Sequence, residues 1–311
     1  MRNGLTTTAA LVLACLLFAP ELIADDSLKS TIIRRSFQRG EWSIAETERF
    51  QVWTKSSLSE AAAIAQQCER LRSELPNRVA VLNEKGESPA WLAPCTVVVH
   101  PSQSDYIRHF PQESKAAVGC STVTTDNGRV IFRRIDLRAD ASSWRENALP
   151  HELTHVLLAD LFIEHPLPAW LNEGLAMLAE DDALRSRRHA VLLRALSDNQ
   201  LPTLKTLLTL HPASRQVNSD VAYAASHSLV CYLADRHGTE KLVEFAEHLA
   251  ARDCDQALRT VYGETDGIAG LEQAWRGQLQ NQQFVTDTIS NHDAFLASVR
   301  TSRLNRDLIK N

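Results

Sequence analysis

The chain has 311 residues, of which 44% are hydrophobic and 23% charged, and its formal net charge is −5. Mild acidity with charges of both signs gives no electrostatic footprint for nucleic acid, so no nucleic-acid partner is predicted. Two basic pieces, Arg133-Arg134 and residues 185–188, are predicted to be solvated surface.

Residues 1–24 predict a secretory signal peptide. Arg2 supplies the positive start, residues 9–18 form an apolar run, and cleavage is expected near Ala24. The run is shorter than the about 20 residues that a membrane span needs. A lipoprotein signal at Cys15 is the alternative. We therefore predict a secreted or periplasmic protein with no stable membrane insertion after the signal is removed.

The predicted secondary structure changes along the rest of the chain, although no linker or internal repeat divides it. Residues 25–142 mix helix and strand patterns, residues 143–285 are almost entirely helical in pattern, and residues 286–311 form a polar tail. The predicted fold class is α+β, with an N-terminal mixed sheet and its helices followed by a mainly helical half.

The sheet-bearing part contains β-branched runs and one amphipathic helix, namely predicted strands at residues 50–54 and 95–100 and a predicted helix at residues 57–74. Asp126-Asn127-Gly128 separates two further strands, residues 121–125 and 129–137, and predicts a hairpin.

Five cysteines follow the predicted signal peptide, and no Cys-x-x-Cys pair occurs among them. An oxidising compartment permits disulfides. The preferred pairs are Cys68–Cys95 and Cys231–Cys254, which leaves Cys120 free. Five reduced thiols are the equal alternative.

The strongest motif is His151-Glu152-x-x-His155. Residues four apart share a helix face, so two imidazoles can reach one ion, and the Glu152 carboxylate can reach a water beside it. An amphipathic helix with two surface histidines is the alternative. Ser143-x-x-Glu146 predicts a capping box for this helix, and Pro150 predicts a kink or a fresh helix start.

A hydrolytic zinc site needs three protein ligands and an open position. Glu173 lies 18 residues after His155, on a second predicted helix that begins at Pro168 and runs to about Glu180. Gly174 beside it would let the two helices approach closely.

The HELTH segment followed by WLNEGLA at residues 170–176 resembles the gluzincins, and more narrowly the peptidase-MA-like proteins, many of them secreted and bacterial. The resemblance implies one zinc ion held by His151, His155 and Glu173, with Glu152 as general base. It also implies a zincin-like helical half and a polypeptide substrate.

The resemblance covers residues 149–180 and has clear limits. Leu158 and Leu161 stand where the other large zincin branch needs Gly and His, and the Gly-x-Met-Glu-Asn stretch of the aminopeptidase branch is absent. An endopeptidase is therefore predicted. Met177 replaces an Asp that orients the first histidine in some gluzincins, so another group must hold that ring.

Three candidates for the group that holds the His151 ring are Asp160, Asp181 and a backbone carbonyl. A hydrogen bond to the developing oxyanion is assigned to Tyr223, with His227 four residues later as the reserve.

A hairpin just before the zinc helix resembles the gluzincin sheet, so residues 129–137 are assigned as the edge strand that pairs with substrate; a purely structural hairpin is the alternative.

The other histidines show no ligand spacing and are predicted to be surface or satisfied polar residues: His100, His109, His165, His189, His211, His237, His248 and His292. The alternative function is a non-catalytic exported binding or scaffold protein with a zinc-stabilised fold.

Overall fold

The structure is a computed structural model that describes residues 32–84, 91, 93–110, 117–209, 216–251 and 253–282. The predicted signal peptide and polar tail lie outside the described residues. Among the described residues, no helix has both the length and the apolar character that crossing a membrane requires.

Six strands form one mixed sheet in the order β1-β2-β3-β4-β6-β5. Their bounds are β1 Arg35–Arg39, β2 Trp42–Glu46, β3 Phe50–Thr54, β4 Cys95–His100, β5 Gly119–Asp126 and β6 Arg129–Arg138. The β3–β4 and β4–β6 pairs are parallel and the other pairs antiparallel. The predicted mixed sheet is thus confirmed.

The predicted hairpin joins β5 and β6. Asn127 and Gly128 have φ values of +47° and +69°, the left-handed pair that a tight two-residue hairpin turn needs. The assignment of residues 129–137 as the edge strand is wrong, because β6 lies between β4 and β5 and the edge is β5.

One face of the sheet carries the main core. The helix α1 (Leu58–Arg78) begins at Ser57, whose hydroxyl accepts from the Glu60 amide, and it packs on β2 and β3. Val97 and Val99 point into this core, so alternation puts Val98 and His100 on the reverse face. Two short helices also lie in this half, α2 (Val81–Glu84) and α3 (Gln103–His109).

The second half is mainly helical, as predicted; the domain boundaries and the zincin-like label stay predictions. Its α-helices are α4 Leu149–Leu161, α5 Ala169–Ala176, α6 Asp182–Ser197, α7 Leu204–Thr209, α8 Ser219–His237, α9 Thr239–Ala251 and α10 Cys254–Tyr262. A 3₁₀ turn, Met177–Ala179, extends α5, and residues 267–282 are also helical.

The predicted capping box is wrong. Ser143 has φ +58° and its side chain caps nothing, and a π-helical turn, Trp144–Ala148, precedes α4. The helix α4 then starts at Leu149 with Pro150 in its first turn, where the missing N–H costs no hydrogen bond. Helical backbone therefore runs through Pro150, and the change from π-helix to α-helix lies one residue before the proline.

All five described cysteines are free thiols, so neither preferred disulfide forms. Burial raises the pKa of Cys68 and Cys95 well above the usual range, and it raises the pKa of Cys231 to about 11. These thiols are therefore small core or half-buried residues with little thiolate character.

Candidate metal centre

Two adjacent helices bring the three predicted ligands together. His151 and His155 project from one face of α4, and their Nε2 atoms are 3.1 Å apart. Glu173 on α5 places Oε2 3.4 Å from the His151 Nε2 and 3.6 Å from the His155 Nε2. Ligand atoms at about 2.0–2.2 Å from a tetrahedral zinc ion lie roughly 3.3–3.6 Å apart. The donor set therefore fits a zinc ion, with both histidine–glutamate separations inside that range and the 3.1 Å histidine pair just below it.

The close approach of the helices around Glu173 depends on Gly174. A Cβ at Gly174 would lie 2.5 Å from the Val230 Cγ2 and 2.7 Å from the Ser226 carbonyl oxygen, both on α8. The helix α8 therefore packs directly against the α5 backbone one residue from the carboxylate. Its small size was predicted to let the two site helices approach each other, whereas the atoms nearest to this glycine belong to α8.

Glu152 lies beside the ligands at the sheet edge. Its side chain is buried, and a Cβ at Gly119 of β5 would come within 3.2 Å of its Cγ. The glycine thus leaves room for the carboxylate between α4 and the edge strand. The edge strand β5 therefore contacts the predicted general base, Glu152, at Gly119.

The group that holds His151 is Glu180, which the sequence analysis missed. The Nδ1 of His151 is 3.0 Å from Oε1 of Glu180, and the Arg188 Nε and Nη2 atoms each donate to that carboxylate at 2.8 Å. Asp160 and Asp181 were the wrong candidates: Asp160 pairs with Arg133, and Asp181 caps α6.

The predicted second helix ran to about Glu180, but in the structure α5 ends at Ala176 and Glu180 follows the 3₁₀ turn with an extended backbone, so helical spacing does not explain its position. The second histidine is also held, because the His155 Nδ1 is 3.2 Å from Oδ1 of Asn172. Both rings thus direct Nε2 at Glu173, and Nδ1 carries the proton that their partners accept.

Buried charges set the protonation of the cluster. Burial lowers the pKa of His151, but hydrogen bonds with Glu173 and Glu180 raise it more, to about 10. Burial raises the pKa of Glu173, and the hydrogen bonds from both histidines more than reverse this, so it falls well below the usual range. The metal-free cluster therefore holds a proton where a divalent cation would bind.

The two oxyanion candidates lie on α8. Tyr223 is half-buried, one turn before Ser226 on the same face, and its role stays a prediction. The His227 Nε2 is 3.7 Å from the Cys231 Sγ, and burial, partly opposed by Glu180, lowers the pKa of His227 to about 4. The reserve candidate is thus a neutral ring near the Glu180 carboxylate.

The two basic pieces are not simply solvated, contrary to prediction. Arg133 is buried against Asp160, Arg134 pairs with Asp136, and Arg188 pairs with Glu180. Their charges hold carboxylates inside the fold, including Glu180 beside His151.

A family model described as the Peptidase MA superfamily matches residues 108–281, more than half of the chain. The matched segment contains the hairpin, the three ligand residues and α8. No curated protein matches the chain.

Proposed function

The chain belongs to the peptidase MA superfamily, and we propose that it is an exported zinc-dependent endopeptidase. The observation that carries the proposal is the convergence of His151 Nε2, His155 Nε2 and Glu173 Oε2 within 3.6 Å of one another. Two neutral imidazoles and one carboxylate form the three-ligand donor set of hydrolytic zinc sites.

Zinc, when bound, would polarise the scissile carbonyl and lower the pKa of a water from about 15.7 toward about 7. Glu152 would take a proton from that water and return it to the leaving amine. Its place beside Gly119 keeps the carboxylate at the sheet edge, where a substrate backbone would run.

The carboxylate of Glu180 supports the site by accepting the His151 Nδ1 proton, while Arg188 keeps Glu180 ionised and in place. This arrangement fixes the tautomer that leaves the His151 Nε2 lone pair available for metal. Binding of an ion would therefore expel one proton from the cluster.

A polypeptide substrate is supported by the exposed edge of the sheet. Strand β5 pairs with β6 on one side, and its other edge faces no strand among the described residues. An extended substrate can add to such an edge through backbone hydrogen bonds, with its carbonyl brought toward Glu152. The substrate-pairing role expected for residues 129–137 is thus proposed for β5.

Cleavage within chains is proposed because the sequence lacks the stretch that anchors a substrate amino terminus in the aminopeptidase branch. Export to the periplasm or the medium is proposed from the signal-like residues 1–24. A hydrogen bond from Tyr223 to the oxyanion completes the proposed machinery.

The test is hydrolysis of an unfolded polypeptide by the purified protein, with and without chelator, followed by zinc restoration. We expect cleavage that chelator stops and zinc restores. Glu152→Gln should lower kcat by about 10²–10⁴-fold and keep its zinc. Unchanged hydrolysis by Glu152→Gln would exclude the assigned base. A wild type that binds zinc and cleaves nothing would favour the scaffold alternative.

A further inference from the structure

A second cluster of ligand-type side chains lies on the reverse face of the sheet. His100 at the end of β4, together with Asp105 and His109 on α3, offers three ligand atoms within 4.8 Å of one another. It repeats the donor set of the first cluster, two histidines and one carboxylate. Both histidines were predicted to be surface or satisfied polar residues.

The His100 ring is oriented in the same way as the His151 ring. The His100 Nε2 is 2.8 Å from Oδ1 of Asp136, whose carboxylate accepts 2.6 and 2.8 Å hydrogen bonds from the Arg134 Nε and Nη2. His100 and Asp136 are both fully buried. An arginine-held carboxylate therefore accepts the Nε2 proton and leaves Nδ1 to face the other way.

The His100 Nδ1 lies 3.0 Å from Oδ2 of Asp105. A ring protonated at Nε2 alone presents a lone pair at Nδ1, and a carboxylate presents another. Two such acceptors stay in contact only with a cation between them, either a proton on Nδ1 or a metal ion. This 3.0 Å separation is close to the 3.1 Å between the Nε2 atoms of His151 and His155.

The helix α3 supplies the third ligand at helical spacing. Asp105 and His109 are four apart, and the His109 Nδ1 donates to the Asp105 carbonyl oxygen at 2.9 Å. The His100 and His109 ring centroids are 4.9 Å apart, against 4.8 Å for His151 and His155. His109 is exposed and its Nδ1 is bonded within α3, so its Nε2 is the nitrogen assigned to a ligand bond.

The charges around Asp105 leave one oxygen for the ion. Lys55 Nζ and Arg108 Nη1 both approach Oδ1, at 3.3 and 3.4 Å, whereas His100 faces Oδ2. The cations keep the carboxylate ionised through one oxygen and leave the other free to coordinate.

We propose that His100, Asp105 and His109 form a second divalent-metal site, of zinc type, that fastens α3 to β4. Two imidazoles and a carboxylate favour zinc over calcium or magnesium. The site is open to solvent at His109, so its ion exchanges more readily than the ion of the first cluster. The assignment does not rest on the proposed peptidase activity.

The experiment strips the purified protein with chelator, reloads it with Zn²⁺ alone and measures bound zinc per chain. We expect two ions in the wild type and one in His109→Gln, with polypeptide cleavage retained by His109→Gln. His165→Gln, at another exposed histidine, is the control and should keep two. Glu173→Gln should keep one ion, and the Glu173→Gln, His109→Gln double variant should keep none.

A second measurement isolates the new site. In Glu173→Gln the first cluster lacks a ligand, so added zinc should still raise Tm, and Asp105→Asn in that background should abolish the shift. An equal number of bound ions in wild type and His109→Gln would overturn the proposal and leave His100 hydrogen-bonded between two aspartates. Failure here with intact chelator-sensitive hydrolysis would leave the proposed function untouched.

Discussion

A histidine ring is oriented by a carboxylate and an arginine on both faces of the sheet, but the residues come from different elements. On one face, His151 is held by Glu180 and Arg188, all within the helical half. On the other, His100 is held by Asp136 and Arg134, which are strand residues. An arginine-held carboxylate can therefore orient a histidine ring from a helix or from a strand.

The largest expected effect comes from breaking the anchor on the strand side. Asp136→Asn leaves Arg134 and His100 without a buried carboxylate, and the free energy of unfolding should fall by about 3 kcal/mol. Urea denaturation in chelator would measure it. Asp126→Asn, at the exposed hairpin tip, is the control and should change stability by about 0.5 kcal/mol at most. Equal losses in the two variants would contradict a special role for Asp136.

Breaking the helix-side anchor should act on metal more than on folding. Glu180→Gln removes the charge that Arg188 and His151 share, so zinc affinity at the first cluster should fall about 10–100-fold. Competition with a chromophoric chelator would measure the change. Glu164→Gln, at an exposed site, is the matched control. An unaltered affinity in Glu180→Gln would show that the anchor does not tune the ligand.

The third test concerns the packing behind Glu173. Gly174→Ala forces a Cβ against the Ser226 carbonyl, which is backbone and cannot turn aside, so stability should fall by about 1–3 kcal/mol. Gly277→Ala, in a helix with nothing within 4 Å, should instead stabilise by about 0.4–1 kcal/mol. Thermal unfolding of the two variants in parallel gives the answer, and a neutral Gly174→Ala would disprove the close contact.

The smallest effect is on pH dependence. In the metal-free protein the pKa of His151 is raised from 6.5 to about 10, so its stabilising contribution is full below pH 6.5 and is lost as pH rises through 10. Between pH 7 and 8 the free energy of unfolding should fall by at most about 1.4 kcal/mol. Glu173 has the opposite pH dependence. Because its pKa is lowered, its stabilising contribution is full above pH 4.5 and is lost as pH falls below that value.

Denaturation of chelated protein across this range would show the slope, and His151→Gln should remove it. A slope that survives in His151→Gln would assign the titration to another group. Zinc affinity should rise over the same interval, because metal must displace the His151 proton.

Local patterns predicted most of the elements and the ligand set. The Asn127-Gly128 turn, the run of Cys95–His100 and the four-residue histidine spacing each depend on neighbours in sequence. Ser143 shows the limit of such patterns: its spacing to Glu146 fits a capping box, but a left-handed backbone turns its hydroxyl away from the helix.

What could not be predicted depends on which segments meet in space. The edge position of β5 follows from β6 pairing with β4, which no local pattern encodes. The same is true of Arg133 and Arg134, because a basic pair predicts solvent exposure unless its carboxylate partners are known. The same holds for Glu180, because its contact with His151 depends on the turn after α5 and on Arg188 of the next helix.

The buried pair of Arg133 and Asp160 joins strand β6 to the last turn of α4, and Trp91 covers it by stacking on the guanidinium and donating to the carboxylate. The hairpin and the ligand-bearing helix are thereby braced as one rigid frame. In the proposed function a substrate peptide adds to β5, and the brace prevents the hairpin from moving along α4 when it does so. The distance between the peptide backbone and Glu152 would thus be set before the peptide binds.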